Sequence, residues 1–224
     1  LHPEYADRIP SVAEQFTPDN HHDMVRFEIM KQFGYFVTES SEHSSEYYPW
    51  FIKKDHPELI DRFHIPLDEY PRRCRDQIAR WKQQAEHLVH NENLTHTRSS
   101  EYAAGIIEAL ETGRTFGFAG NVLNTGLIDN LPFDACVEVS CMVNEGHLSP
   151  CHMGPLPNQL AALNRRQIEV HQLTVDAALT RKKEYIYQAA MLDPHAGSEL
   201  TIDEIRSLVD DLIQAHGDWL PEYH

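Results

Sequence analysis

Helical periodicity dominates this sequence, while strand-like alternation is confined to one region, and this contrast constrains the fold more than any other feature. Apolar residues recur at helical spacing in three long stretches, at 68–90, 157–180 and 201–216. The strongest strand signals are 115–122 and 134–143. No repeat, low-complexity tract or long linker interrupts the chain. The sequence therefore predicts an α+β fold, with residues 1–224 forming one mostly helical domain with a small sheet.

Residues typical of helix ends predict where further helices begin and end. Gly34 and Gly113 are typical C-terminal caps, so helices are expected to end just before each of them. Ser99 or Ser100 is expected to cap the second of these helices. Residues 38–47 read as a loop that follows the first helix. Residues 1–22, rich in Pro, His and Asp, read as an arm or loop.

The stretch 68–90 is expected to be an amphipathic helix. Its apolar side comprises Cys74, Ile78, Trp81, Ala85 and Leu88.

Charge limits the classes of partner. The chain has 19 Lys and Arg against 35 Asp and Glu, a net charge of −16. This balance disfavours nucleic acid and anionic membranes as partners. No apolar run approaches the length of a membrane span, and the first residues do not resemble a signal peptide, so a cytoplasmic protein is expected. The chain does not begin with Met, which indicates a piece of a longer protein.

The four cysteines do not form an obvious metal motif. Cys136 and Cys141 lie five positions apart in an alternating segment, so they are expected on opposite faces of the sheet. That placement argues against a shared zinc ion. Cys151 is followed by His152, and this pair needs further ligands from other segments to form a site.

Residues 33–51 contain many side chains that can take part in catalysis or ligand binding. Glu39, Glu42 and Glu46 surround His43, and imidazole transfers protons near neutral pH. Neighbouring aromatic residues are suited to stacking on a sugar ring. The alternative is a hydrated loop whose aromatic residues anchor the core.

The segment 121–132, rich in Asn and Gly, offers amides for hydroxyl recognition, or is a turn chosen for its backbone shape. Composition and spacing alone assign no reaction.

The chain contains five characteristic blocks in this order: VRFEIMKQFGYFVTESSEHSSEYYPWF, GNVLNTGLIDNLP, VEVSC, GPLPNQLAALNRRQI and AAMLDPHA. Together these blocks resemble family 4 glycoside hydrolases, in the branch of the α-galactosidases and α-galacturonidases. The similarity runs from about residue 24 to the AHGDWLP segment at 215–221. It implies that the chain is a C-terminal domain completing an N-terminal Rossmann domain that is absent from this sequence.

The resemblance also implies a reaction outside the usual two-carboxylate scheme. Bound NAD takes hydride from C3 of the sugar, which makes the C2 proton acidic, while Mn²⁺ holds O2 and O3. A base removes the C2 proton, the leaving group departs from C1, water adds, and the hydride returns. NAD and Mn²⁺ are expected to be bound mainly by the absent N-terminal part, so no nucleotide or metal ligand is assigned to this chain.

Carried over onto this sequence, the family pattern places the base in the region 35–43. Tyr35, Glu39 and His43 are the candidates. The candidate substrate contacts are Ser40, Ser41, Asn121 and Asn124. The implied function is hydrolysis of α-galactosides or α-galacturonides, by a homo-oligomer that is a dimer or tetramer. The alternatives are an α-glucosidase of the same family and a non-catalytic helical assembly module.

Overall fold

The computed structural model describes residues 23–91, 93, 95, 97 and 99–224, so the predicted arm at 1–22 lies outside the described residues. In the described part, nine α-helices and three strands follow one another. They are α1 Met24–Phe33, α2 Ser41–Tyr47, α3 Glu58–Arg62, α4 Glu69–His90, α5 Tyr102–Thr112, β1 Phe116–Leu123, β2 Cys136–Asn144, β3 His147–Pro150, α6 Asn158–Thr180, α7 Lys183–Leu192, α8 Ala196–Glu199 and α9 Ile202–His216, with a 3₁₀ turn at Gly217–Trp219.

The mostly helical class with a small sheet is confirmed. The sheet has the order β1-β2-β3. Only Glu145 and Gly146 separate β2 from β3, so these two strands form a hairpin, and Gly146 takes the left-handed φ of 74° that its turn requires. Along β2 every second residue is buried. Cys141 is buried and Cys136 exposed, as their odd separation predicts.

The chain divides into two compact units. One contains the described residues up to Ile65, together with Gly117–Met142 and Leu148–His224; the other contains Pro66–Phe116 and Val143–His147. In the first unit the buried face of the sheet packs on α6, where Val137, Val139 and Cys141 meet Ile168. A second apolar cluster surrounds α1, whose Val25 and Ile29 pack with Phe51 and Phe63.

In the second unit, α5 packs closely on the start of β1. A Cβ added at Gly105 would lie 2.6 Å from the Phe116 ring, so any larger residue there would require the ring to shift.

The helix α4 is more exposed than its amphipathic pattern predicts. It forms where the periodicity predicts it, but none of its residues is buried. The predicted apolar side therefore does not contribute to a core of the described chain. No helix of the described residues is both long enough and apolar enough to cross a membrane.

Two boundary predictions are wrong. Residues 41–47 form a helix, not a loop, because Ser40 caps its N-terminus by accepting a hydrogen bond from the His43 amide at 3.2 Å. The N-terminal cap of α5 is Glu101, without a side-chain hydrogen bond to the helix. Ser99 instead accepts a hydrogen bond from the Glu101 amide. Both glycine caps are confirmed, since Gly34 and Gly113 have left-handed backbones with φ of 81° and 72°.

Candidate functional site

A cleft of about 640 Å³ opens in the first compact unit. This volume is in the range of a small-molecule binding site. One wall is the segment that leaves α1, from Tyr35 to Glu39, together with Tyr47 and Tyr48 at the end of α2. The opposite wall comes from the start of β2 and from α6, and the loop residues Ile128, Leu131 and Leu156 complete the lining.

The first wall is held in place by Arg26 of α1. Its guanidinium donates a hydrogen bond from Nε to the Val37 carbonyl at 2.9 Å and lies 4.1 Å from the centroid of the Phe36 ring. The helix itself ends at Gly34, whose amide donates to the Met30 carbonyl. Tyr35 and Glu39 therefore lie on the short non-helical segment that joins α1 to α2, and both line the cleft. Tyr35 is 37% exposed.

The serines of α2 are used by the fold. The Ser41 hydroxyl is buried and accepts a hydrogen bond from the Arg26 amide at 3.3 Å, which joins α2 to α1. Ser40 is the helix cap, as described above. Both residues were expected to contact substrate, but neither lines the cleft. The sequence analysis assigned these hydroxyls to the sugar because it read the segment as a loop, in which they would be free.

His43 is separated from the other two candidates. It does not line the cleft, and its Nδ1 lies 2.9 Å from a Glu46 carboxylate oxygen one turn along α2. This hydrogen bond raises the pKa of His43 above its usual value, and the negative charges of Glu46, Glu42 and Glu39 act in the same direction. His43 is thus biased toward the imidazolium form, which cannot accept a proton.

The Asn-rich segment is a structural loop. Asn124 is fully buried; its side-chain nitrogen donates to the carbonyls of Ile128, Leu131 and Pro132, and its oxygen accepts from the Ile128 amide. These four hydrogen bonds give the amide a structural role in the loop, and Asn124 does not line the cleft, so its expected substrate contact stays a prediction. Asn130 likewise pairs with both backbone groups of Leu156, at 2.8 and 2.9 Å.

Asn121 is exposed on β1 and does not line the cleft.

The second wall was missed by the sequence analysis. Asn164, Gln167 and His171 of α6 line the cleft, together with Glu138 of β2. The spacing of the three α6 residues places them along one side of the helix. Gln167 also donates from Nε2 to the Tyr47 carbonyl at 3.2 Å, which joins the two walls. A polar stripe on a helix that is otherwise needed for the core was the available signal.

Metal-binding donors do not converge in the cleft. Among the described residues, one group of three donor side chains has its ligand atoms within 4.8 Å of one another, and it is Glu42, His43 and Glu46 on α2. His152 instead pairs with Asp129, with Nε2 2.7 Å from a carboxylate oxygen. The described lining therefore supplies residues for recognising a polar molecule and moving a proton, but no evident metal centre.

The chain is similar to a known protein family and to several known enzymes. Residues 1–196 match the model of the family 4 glycosyl hydrolase C-terminal domain. An α-galactosidase of Bacillus subtilis (strain 168) is 57% identical over 223 residues, covering 100% of this chain and 51% of that protein. An α-galactosidase of Rhizobium meliloti (strain 1021) is 30% identical, covering 97% of this chain and 46% of that protein.

Solved structures share the fold. A 6-phospho-α-glucosidase from gut microorganisms, solved in complex with NAD and Mn²⁺, superimposes with a TM-score of 0.72 at 21% identity, covering 99% of this chain and 50% of that chain. This chain spans about half the length of the curated relatives that it matches. The resemblance seen in the sequence is confirmed, and the chain belongs to glycosyl hydrolase family 4, as the C-terminal domain of that family.

Proposed function

We propose that this chain forms one side of the substrate site of an enzyme that hydrolyses α-galactosides, and that it acts as part of a longer polypeptide. The observation that carries the proposal is the cleft, whose lining contains both Tyr35 and Glu39 and the polar stripe of α6. The identity of 57% with an α-galactosidase supports it.

The charge of the cleft favours an uncharged sugar. Its described lining includes the acidic residues Glu39 and Glu138 but neither Lys nor Arg. A galacturonide carries a carboxylate and a sugar phosphate carries more negative charge, and both are bound preferentially by cationic side chains. A neutral galactoside instead requires hydroxyl partners, such as the amides of Asn164 and Gln167. The rings of Tyr47 and Tyr48 offer apolar faces for the pyranose.

In this proposal Tyr35 or Glu39 removes the proton from C2 of the sugar. Both side chains line the cleft, whereas His43 does not. Glu39 accepts a hydrogen bond from the Ser40 amide at 2.7 Å through Oε1, which fixes the carboxylate and leaves Oε2 for a proton. A phenol needs a nearby cation to act as a base at neutral pH, whereas a carboxylate does not. Glu39 is therefore our first candidate, Tyr35 the second and His43 the third.

The cofactors are proposed to be NAD and Mn²⁺, bound mainly by residues outside this chain. When bound, they supply the oxidation that makes the C2 proton acidic. The described residues do not provide a metal centre in the cleft. The contribution of this chain is to orient the sugar, exclude water from one side and accept the proton.

We further propose a cytoplasmic homo-oligomer, a dimer or tetramer. All four cysteines are free, in keeping with a reducing compartment.

The test uses the complete enzyme with NAD and Mn²⁺, assayed with nitrophenyl α-galactoside and nitrophenyl α-galacturonide. We expect the galactoside to be hydrolysed at least tenfold faster, judged by kcat/KM.

We expect Glu39→Gln to lower kcat by 10²-fold or more with an unchanged Tm, because general bases contribute rate factors of about that size. Glu111→Gln, an exposed carboxylate on α5, is the matched control.

A readout specific for the base is solvent deuterium incorporation at C2 of the sugar. Loss of this exchange in Glu39→Gln identifies Glu39, and loss in Tyr35→Phe identifies Tyr35. Full activity in both variants, or preference for the galacturonide, contradicts the proposal.

A further inference from the structure

The segment that joins α1 to α2 carries the two candidates for the base that line the cleft, but few hydrogen bonds hold its backbone. It lies between Phe33 at the end of α1 and Ser41 at the start of α2. In the described part of the chain, no backbone amide or carbonyl of residues 35–39 pairs with another backbone group. The positions of Tyr35 and Glu39 therefore depend on contacts that involve side chains.

The side chain of Arg26 provides two of these contacts. Its Nε donates to the Val37 carbonyl at 2.9 Å, and its guanidinium carbon lies 4.1 Å from the centroid of the Phe36 ring. A planar guanidinium stacks on a ring and donates from its edge at the same time, which an ammonium group does not do. Phe36 and Val37 line the cleft, whereas Arg26 does not. Arg26 thus acts on the cleft through the segment.

The backbone of Arg26 holds the other end of the segment. Its amide lies in the first turn of α1, where amides have no acceptor within the helix. It donates instead to the Ser41 hydroxyl at 3.3 Å. Glu39 lies between Val37 and Ser41, and Tyr35 precedes Phe36. One residue of α1 therefore fixes the chain on both sides of Glu39 and next to Tyr35.

We propose that Arg26 is a positioning residue for removal of the C2 proton, because it holds the segment that carries the base. This inference rests on the proposed function, but it is the same whether Glu39 or Tyr35 is the base. Displacing a catalytic group by about 1 Å lowers a rate by about 10²-fold. The proposed sugar contacts of α6 and of the tyrosine rings do not involve Arg26. Loss of its contacts is therefore expected to lower kcat more than it changes KM.

Two substitutions separate the hydrogen bond of Arg26 from its charge. In Arg26→Gln, the amide nitrogen is as many bonds from Cα as Nε is, so it can still donate to the Val37 carbonyl, although the charge is lost. In Arg26→Lys, a methylene occupies that place, so the charge remains and the donor is lost from it. If Arg26 acts by positioning the segment, the glutamine variant is the more active of the two. If Arg26 acts through its ion pair with Asp23, the lysine variant is the more active.

The test uses the complete enzyme with NAD and Mn²⁺ and nitrophenyl α-galactoside as substrate. We expect Arg26→Lys to lower kcat by about tenfold or more with KM changed by less than about twofold, and Arg26→Gln to keep kcat within about threefold of the wild type. Deuterium incorporation at C2 should fall in parallel with kcat, since removal of this proton is the affected step. Arg206→Lys is the matched control and should leave kcat unchanged, because Arg206 lies 4.2 Å from the Tyr187 ring and does not line the cleft.

Three outcomes would overturn the proposal. The first is an Arg26→Lys variant as active as the wild type, and the second is an Arg26→Lys variant more active than Arg26→Gln. The third is loss of the fold in both variants, seen by circular dichroism, which would make Arg26 a structural residue.

Failure of the proposed function gives a different result. A wild-type enzyme that hydrolyses nitrophenyl α-glucoside or nitrophenyl α-galacturonide in preference to the galactoside contradicts the proposed substrate alone. The two Arg26 variants are then compared with the preferred substrate. The same order of kcat, with glutamine above lysine, supports the positioning role, and the reverse order overturns it.

Discussion

At the scale of single residues, amide and hydroxyl side chains near the cleft divide into those that build it and those that face it. Asn124, Asn130 and Ser41 have their polar atoms occupied by backbone partners. Asn164 and Gln167 also donate to backbone carbonyls, those of Leu160 and Tyr47, but they line the cleft from α6. Residue type does not distinguish these two groups, because amides satisfy loops and sugars equally well. The sequence analysis therefore identified Tyr35 and Glu39, which line the cleft, but did not identify Asn164 and Gln167, which line it as well.

Asn124 provides the clearest stability prediction. Asn124→Ala removes four hydrogen bonds and leaves backbone groups of Ile128, Leu131 and Pro132 without their partner. Because unsatisfied buried groups are costly, we expect the free energy of unfolding to fall by about 3 kcal/mol. Urea denaturation measures the change, and Asn121→Ala on the exposed side of β1 is the control, with a change within about 0.5 kcal/mol. Equal effects in the two variants would contradict the structural role of Asn124.

His43 provides a pH-dependent prediction. Because Glu46 holds its pKa above the ordinary value of 6.5, protonated His43 stabilises the folded chain. This contribution is fully present below pH 6.5 and disappears as the pH rises through the folded pKa. We expect Glu46→Gln to lower the pKa of His43, measured by NMR titration, and to flatten the pH dependence of Tm just above pH 6.5. An unshifted His43 titration in this variant would show that Glu46 is not the cause.

At the scale of elements, helix boundaries were predictable wherever a terminal signal was strong. The start of α9 combines a threonine cap with Glu204 three residues later, and the structure contains the full capping box. The helix α2 was missed because four of the residues from Ser40 to Ser45 are serines, which are weak helix formers. It forms because Ser40 caps it and because small side chains allow close packing on α1, an effect of tertiary structure. Local pattern does not encode such packing.

The cap of α9 can be tested directly. Thr201→Ala removes the hydroxyl that accepts from the Glu204 amide and donates to the Glu204 carboxylate, while the backbone amide of residue 201 still donates to that carboxylate. We expect a loss of about 1 kcal/mol in the free energy of unfolding. Thr174→Ala is the matched control, because this exposed threonine lies in the interior of α6 and bonds to the Val170 carbonyl. Its effect should remain within about 0.5 kcal/mol. A larger loss from Thr174→Ala would argue against the special role of the cap.

At the scale of the whole molecule, the same kind of pattern has different outcomes in α4 and α6. Both helices were predicted from apolar periodicity. In α6 the residues Ala161, Ile168 and Ala177 are buried, and the helix supports both the sheet and the cleft. In α4 no residue is buried. Periodicity predicts that a helix has an apolar face, but it does not identify the surface that covers it. That surface can belong to the same chain or to a second copy.

This difference in burial predicts different rates of amide hydrogen exchange in the two helices. In dilute, monomeric samples the amides of Glu69–His90 should exchange much faster than those of Asn158–Thr180, because exchange protection follows buried packing. Ile78→Asp should leave the exchange rates of both helices unchanged, because Ile78 is 59% exposed. Slow exchange of α4, as slow as that of α6, would mean that its apolar side is covered and would contradict the exposure seen in the described chain.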